Sequence, residues 1–210
     1  MTEHHLKVQR TARYYSSNVI TAQTKQVWLV IHGFGQQAAL FIQNFEFAFS
    51  SERVFVAPEA LNRFYLKGSH GQVGATWMTK EDRLNEIADY IAYLDDLYDA
   101  VVGARADLKI TVLGFSQGAS TATRWAHATS KRIDRVIVYA GEVAPELVPL
   151  SASSGLRKTE NHFIYGTADE FFPVQLMRDA QVHYSSLQFK VTEFEGGHII
   201  QPDTLQQFLS

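Results

Sequence analysis

Short apolar runs that alternate with amphipathic segments are the main pattern along this chain. The first run, residues 27–31, is followed directly by His32-Gly-Phe-Gly35, where the glycines favour a tight turn. Similar runs occupy residues 53–57, 109–113, 135–139, 163–165 and 189–194. Because the runs are continuously apolar rather than alternating, they predict buried strands in a sheet that is covered on both faces.

The segments between these strands have helical periodicity. The clearest lies at residues 81–102, where apolar residues recur at three- and four-residue spacing with polar residues between them. Weaker helical patterns occupy residues 38–49, 117–129, 174–186 and 203–209. This βαβα order predicts a mostly parallel central sheet with helices on both faces. Residues 7–16 alternate only in part, and we interpret them as an antiparallel edge strand.

Composition and charge limit the number of domains, the binding partners and the chemistry that this chain can have. The 210 residues, 46% of them hydrophobic, predict one well-buried core and a single domain over residues 1–210. A formal net charge of -3 disfavours nucleic acid or an anionic membrane surface as a partner. The absence of cysteine excludes a disulfide framework, a thiolate metal site and a cysteine nucleophile. With no signal-peptide pattern and no long apolar span, we expect a soluble, cytoplasmic protein without integral membrane association.

The motif Gly114-Phe-Ser-Gln-Gly118 begins where one predicted strand ends and opens a predicted helix. This is the context of a nucleophile elbow, in which a serine on a sharp strand-to-helix turn is lifted above the sheet. Glycines on either side allow the strand and the helix to approach each other. Ser116 is therefore the candidate nucleophile, and a simple tight turn is the structural alternative.

A serine nucleophile needs a histidine to accept its proton. His198 follows the last predicted strand and a turn that contains Gly196 and Gly197, so we expect it at the carboxyl edge of the sheet. His70 lies in a loop of Gly and Ser and is the alternative base. The other histidines are interpreted as surface or core residues.

A carboxylate that orients the histidine should lie between the serine and the histidine in chain order. Asp169 meets this requirement, because it follows the strand at residues 163–165 directly. Glu170 and Glu142 are weaker alternatives. Asp169 also has a purely structural interpretation as a helix N-cap, which would tie its side chain to its own backbone.

The reaction also needs backbone N–H groups that bind the negative oxygen of the tetrahedral intermediate. One donor is expected from Gln117, directly after the nucleophile, and the other from Phe34 in the glycine loop after the first strand. His32 is then a structural residue. A plain glycine turn is the alternative interpretation of this loop.

Serine, aspartate and histidine in this order, with the glycine loop upstream, make the chain resemble an α/β-hydrolase. The motifs His32-Gly-Phe-Gly35, Gly114-Phe-Ser-Gln-Gly118, Gly166-Thr-Ala-Asp169 and Gly197-His198 resemble those of the phospholipase/carboxylesterase family, which includes acyl-protein thioesterases. The resemblance implies Ser116 as nucleophile, Asp169 as acid, His198 as base, and Phe34 and Gln117 as oxyanion donors. The chain departs from the family pattern at Gln36, Ala119 and Phe172.

The expected activity is cleavage of small-molecule carboxylic esters through an acyl-serine intermediate, without a cofactor or metal. Few residues separate the strands at 139 and 163, so we expect an open site with little or no lid and short or medium acyl chains. Trp77, Met78, Phe171 and Phe172, with Phe34, are candidates for the pocket wall or for the core. A thioesterase, a lysophospholipase and a non-catalytic binding protein of the same fold are the alternatives. The sequence assigns no oligomeric state.

Overall fold

A computed structural model describes residues 1–209, with the side chains of residues 180–183, 185 and 186 left aside. Ser210, the last residue of the predicted domain, lies outside the described residues. The strands in chain order are β1 (Tyr14–Ser16), β2 (Gln26–Ile31), β3 (Arg53–Pro58), β4 (Asn62–Tyr65), β5 (Val73–Thr76), β6 (Lys109–Phe115), β7 (Arg135–Tyr139), β8 (Glu160–Gly166) and β9 (Phe189–Phe194). The α-helices are α1 (Ala38–Phe41), α2 (Arg83–Val101), α3 (Gln117–Ala128), α4 (Val174–Ser186) and α5 (Pro202–Gln206).

Seven of the strands form one central sheet in the order β1-β3-β2-β6-β7-β8-β9. All neighbouring pairs are parallel except β1 with β3, which is antiparallel. The mostly parallel sheet is therefore confirmed. The predicted edge strand at residues 7–16 is also present, but only over its last three residues, Tyr14–Ser16.

Helices cover both faces of this sheet, as its continuously apolar strands predicted. On one face, Leu29 of β2 shares a core with Trp125 of α3, and Met177 of α4 packs beside β7 and β8. On the other face, Val30 of β2 packs with Phe45, which follows α1. Successive residues of one strand thus belong to different cores, because side chains alternate across a sheet.

The helix predicted at residues 38–49 has a different form in the structure. After one turn of α1 the chain continues as a 3-10 helix over Ile42–Ala48. Ile42, Phe45 and Ala48 are buried at a spacing of three residues. That spacing aligns side chains on one face of a helix with 3.0 residues per turn, which explains the tighter winding.

A two-stranded antiparallel hairpin, β4–β5, was not predicted from the sequence. Its strands are only four residues long, and Gly74 interrupts the second one. The hairpin is anchored to the glycine loop after β2, where Gly35 N–H donates to Ala75 O at 2.8 Å and Ala75 N–H donates to Gln36 O at 3.1 Å. A tertiary contact, rather than local preference, therefore stabilises this element.

The segment between β7 and β8 contains two short 3-10 helices, Pro145–Leu147 and Gly155–Lys158. None of the described helices combines the length and the apolar content that crossing a membrane requires.

Candidate active site

Ser116 lies at a sharp turn between β6 and α3, with φ 55° and ψ -120°. This left-handed backbone is strained for a residue with a side chain, and strain of this kind is concentrated at functional sites. A Cβ on Gly114 would lie 2.2 Å from Gly118 O, and one on Gly118 would lie 2.2 Å from Ile31 O. Both positions therefore require glycine, as the strand-to-helix interpretation of this motif expects.

Asp169 and His198 form a close pair beyond the ends of β8 and β9. The Nδ1–H of His198 donates to Asp169 Oδ2 at 2.7 Å, and the Asp169 side chain is fully buried. The other carboxylate oxygen, Oδ1, accepts the backbone N–H groups of Phe171 and Phe172 at 2.8 and 3.0 Å. Asp169 is not a helix N-cap, because α4 begins only at Val174 and the two N–H groups belong to the preceding loop. One oxygen binds this loop, and the other is free to orient His198.

This hydrogen bond has a consequence for the other nitrogen of the imidazole. When Nδ1 carries the proton, Nε2 of the neutral ring is an acceptor. Within residues 1–209 no hydrogen bond joins His198 to the Ser116 hydroxyl. Catalytic hydrogen bonds of this type often tighten only when substrate is bound.

Three aromatic rings surround the His198 imidazole. The ring centroids of Phe115, Phe171 and Phe172 lie 4.7, 4.8 and 5.8 Å from its own centroid. Phe115 directly precedes Ser116, so this packing brings His198 to the strand end that carries the serine. An imidazolium at this position would face aromatic rings within the range of cation–π attraction.

The glycine loop after β2 lies against Ser116. A Cβ built on Gly33 would lie 3.0 Å from Ser116 Cβ, so the loop and the serine are in contact. Gln36 Oε1 accepts the Gly33 N–H at 2.7 Å and thereby orients the loop. In the described chain, neither Phe34 N–H nor Gln117 N–H has an acceptor, and both are available beside the serine.

His32 is buried and makes structural contacts. Its Nε2 accepts the Ala60 N–H at 3.1 Å, and its Nδ1–H donates to Gly33 O at 2.7 Å. Burial lowers the pKa of His32, despite the opposing effect of the bond to Gly33 O, and favours the neutral ring. Trp77 Nε1–H donates to His32 O at 2.8 Å and holds the same loop from the hairpin side.

The side chain of Gln117 has a role that the sequence analysis did not identify. Its Oε1 accepts the Trp77 N–H at 3.2 Å, and its Nε2 donates to Met78 O at 2.9 Å. The Thr76 hydroxyl joins the same group of hydrogen bonds. The side chain of the residue that follows the serine therefore links the end of β5 to the elbow by hydrogen bonds. The only sequence signal for this role is the position of Gln117 in the motif.

The predicted pocket residues lie in different environments. Trp77 is 1% exposed and packs against His32 and Tyr90 in the core, so the pocket-wall interpretation of Trp77 must be corrected. Its indole N–H bonds to a backbone carbonyl under the loop, which draws the ring inward. Met78 is partly buried.

The aromatic candidates closest to the loops are exposed. Phe171 is 67% exposed, Phe34 is 60% exposed, and Phe172 is partly buried. Phe171 lies against His198, whereas the Phe34 ring lies 5.3 Å from that of Phe64 on the hairpin. Phe171 therefore lies on the His198 side of the site, and Phe34 lies on the hairpin side.

The alternative acids and bases do not join the His198–Asp169 pair. His70 is exposed in the loop between β4 and β5, and among the described residues neither Glu170 nor Glu142 hydrogen bonds to His198. Among the same residues, the only cluster of potential metal ligands is Glu3, His5 and Asp82, and all of these are exposed.

Comparisons with known proteins agree with this architecture. The model of the phospholipase/carboxylesterase family matches residues 17–210. Among solved structures, esterase PE8 is similar with a TM-score of 0.70 and 23% identity, over 95% of this chain and 97% of the other. The acyl-protein thioesterase 2 of Zea mays has a TM-score of 0.69 and 18% identity, over 95% and 96% of the two chains.

The Bacillus cereus carboxylesterase has a TM-score of 0.66 and 14% identity, over 94% of this chain and 92% of the other. At these identities the similarity shows a shared α/β-hydrolase fold. No curated protein matches the sequence.

Proposed function

The chain belongs to the phospholipase/carboxylesterase family, and from this premise we propose that it is a serine hydrolase that cleaves carboxylic esters through an acyl-serine intermediate. Family membership itself supports an esterase- or thioesterase-type hydrolase. The observation that carries the proposal is the strained Ser116, which contacts Gly33 and directly follows Phe115, whose ring packs against the His198 of the His198–Asp169 pair.

In the first half of the proposed reaction, Ser116 Oγ attacks the ester carbonyl carbon while His198 Nε2 accepts the hydroxyl proton. The buried Asp169 carboxylate stabilises the imidazolium that forms. The negative oxygen of the tetrahedral intermediate accepts hydrogen bonds from the Phe34 and Gln117 N–H groups. The C–O bond to the leaving group then breaks, and the alcohol leaves with the proton from His198.

In the second half, water attacks the acyl-serine carbonyl and gives its proton to His198. The second tetrahedral intermediate breaks the bond to Ser116 Oγ, which recovers its proton from the imidazolium. This step releases the carboxylic acid and the free enzyme, so the proposed reaction requires only the ester and water and no cofactor. The described segment between β7 and β8 holds only two short 3-10 helices and no large lid, which favours short or medium acyl chains held at an open site.

The proposal is tested with a fluorophosphonate probe and intact-mass analysis. Wild-type protein should gain one adduct, and Ser116→Ala should gain none and lose hydrolysis of a p-nitrophenyl ester by about 10⁴ to 10⁶-fold. Ser120→Ala is the matched control, because Ser120 lies one turn further along α3 and its hydroxyl donates to Glu142 O. This control should keep both the adduct and the activity.

Retained activity in Ser116→Ala would refute the nucleophile. The absence of an adduct on folded wild-type protein would favour the alternative of a non-catalytic binding protein. A panel of oxygen esters, thioesters and lysophospholipids then separates esterase from thioesterase and lysophospholipase activity.

A further inference from the structure

A cavity of about 240 Å³ lies between the glycine loop, α1 and the start of β5. Among the described residues, no charged side chain lines this cavity. Its polar lining consists of four carboxamide side chains, those of Gln36, Gln37, Asn44 and Gln72. Leu40, Phe41 and Val73 supply its apolar part. An uncharged, amide-rich lining of this kind has no counter-charge for an ionic ligand.

Three of these carboxamides are anchored at one end. Gln36 Oε1 accepts the Gly33 N–H at 2.7 Å, Gln37 Nε2 donates to Val73 O at 2.6 Å, and Asn44 Nδ2 donates to Phe41 O at 2.8 Å. Within the described chain, the opposite ends of these amides have no partner. The residues that line the cavity therefore keep one donor group, Gln36 Nε2, and two acceptors, Gln37 Oε1 and Asn44 Oδ1, for a ligand, each on a carboxamide that is held at its other end.

Hydroxyl groups both donate and accept hydrogen bonds, so they match this mixture of fixed donors and acceptors. An acyl chain would instead leave the carboxamides desolvated and unpaired. The volume is below the roughly 300–1,000 Å³ of sites for drug-sized ligands and suits one sugar ring or a glyceryl group. Because the amides are already held in place, little side-chain freedom is lost on binding.

The cavity is also close to the proposed nucleophile. Gln36, which lines it, bonds to the Gly33 N–H, and a Cβ on Gly33 would lie 3.0 Å from Ser116 Cβ. The same Cβ position lies 3.1 Å from Gln36 Oε1, so the Gln36 carboxamide and the serine adjoin each other at Gly33. The alcohol part of an ester is directly attached to the reacting carbonyl, so with the carbonyl at Ser116 it lies next to this carboxamide at the edge of the cavity.

We propose that this cavity binds the alcohol portion of the substrate and that this portion is a small neutral polyol, either a sugar ring or glycerol. The inference rests on the proposed ester hydrolysis. It makes the chain an esterase for acylated polyols, and it assigns alcohol specificity to residues outside the Ser116–His198–Asp169 group.

The test compares three butyryl esters that differ only in the alcohol: the 6-O-ester of glucose, the ester of glycerol and the charged ester of choline, with methyl butyrate as reference. The polyol site should give one or both polyol esters a KM about tenfold below that of methyl butyrate. The choline ester should show no such advantage. The lower of the two polyol KM values identifies the source of the hydroxyl groups.

A double variant, Asn44→Leu with Gln72→Leu, replaces two exposed carboxamides of the cavity by apolar side chains of similar size. It should remove the advantage of the polyol ester and leave kcat and KM for methyl butyrate within about twofold of wild type. Gln43→Leu is the matched control, since Gln43 is an exposed neighbour of Asn44 that does not line the cavity. Thermal melting of each variant shows whether the fold is retained.

Equal KM values for all four esters would overturn the polyol site, and so would a double variant that keeps the lower KM for the polyol ester. In either case, hydrolysis of methyl butyrate would still support the proposed serine hydrolase. If the double variant melts far below wild type, the single variant Gln72→Leu takes its place with the same criteria. Loss of all ester hydrolysis in wild-type protein, together with no fluorophosphonate adduct, would overturn both proposals.

Discussion

At the scale of single residues, the two oxygens of Asp169 have separate partners. Oδ2 accepts the His198 Nδ1–H, and Oδ1 accepts two backbone N–H groups of its own loop. One side chain thus shapes the loop and orients the imidazole. Its substitution separates the two contributions.

Asp169→Asn should keep the fold and lower kcat by about 10⁴-fold. The amide oxygen still accepts the backbone N–H groups, but the amide NH₂ then meets His198 Nδ1 and favours the wrong tautomer. Steady-state kinetics with a p-nitrophenyl ester, together with circular dichroism, measure both effects. Glu170→Gln is the control and should remain active. If Glu170→Gln loses activity and Asp169→Asn keeps it, Glu170 and not Asp169 is the acid that orients His198.

At the scale of elements, the β4–β5 hairpin supports the glycine loop. Gly74 of β5 approaches the loop so closely that a Cβ there would lie 2.3 Å from Gly35 O. Gly35 O is a backbone atom and a Cβ is bonded directly to the backbone, so no side-chain rotation can relieve the collision. The hairpin and the loop must separate if Gly74 is replaced.

Gly74→Ala should therefore lower kcat/KM about 10- to 100-fold, because the Phe34 N–H moves away from the position of the oxyanion. Gly68→Ala at the tip of the same hairpin is the control. Its Cβ would meet nothing within 4 Å, and only its φ of +62° adds a modest strain. Kinetics of the two variants should differ while their circular dichroism spectra match. Equal kinetics would show that the loop does not depend on the hairpin.

At the scale of the whole molecule, Glu146 joins three separate parts of the chain. Its carboxylate pairs with Arg124 of α3 at 2.6 Å and with Arg83 at the start of α2 at 3.0 Å, and Glu146 itself lies between β7 and β8. The hydrogen bond from Arg124, together with the charges of both arginines, lowers the pKa of Glu146 from its usual 4.5 to about 2. The Arg124 side chain is nearly buried, and among the described residues no other carboxylate contacts it.

Glu146→Gln should destabilise the fold by about 1–2 kcal/mol at neutral pH, a modest value because the carboxylate is partly exposed. A lowered folded-state pKa gives stability that is fully present above the unfolded pKa, near 4.5, and is lost as the pH falls towards 2. The difference in melting temperature from wild type should therefore be largest at pH 7 and shrink below pH 4.5. Glu46→Gln, at an exposed site, should show no such trend. A difference that stays constant with pH would exclude the ion pair as its cause.

Local signals in the sequence predicted most of the fold and the candidate triad. Continuous apolar runs identified the central parallel strands, and the glycine-flanked serine identified the elbow. The carboxyl ends of parallel strands meet at one edge of a sheet, so residues that follow them, such as Asp169 and His198, are expected together. The pairing at 2.7 Å fits that expectation.

What only the tertiary structure decided depends on contacts between segments distant in sequence. The β4–β5 hairpin lacks a strong strand pattern and forms against the Gly35–Gln36 backbone, and Trp77 turns into the core because a carbonyl of the loop accepts its indole N–H. The side-chain bonds of Gln117 and Gln36, and the carboxamide cavity, likewise require partners that periodicity does not specify. The periodicity of apolar residues and the preferences of turn residues act over a few neighbouring positions, so the sequence shows them directly. The bonds listed here join distant segments and form only after the sheet has assembled.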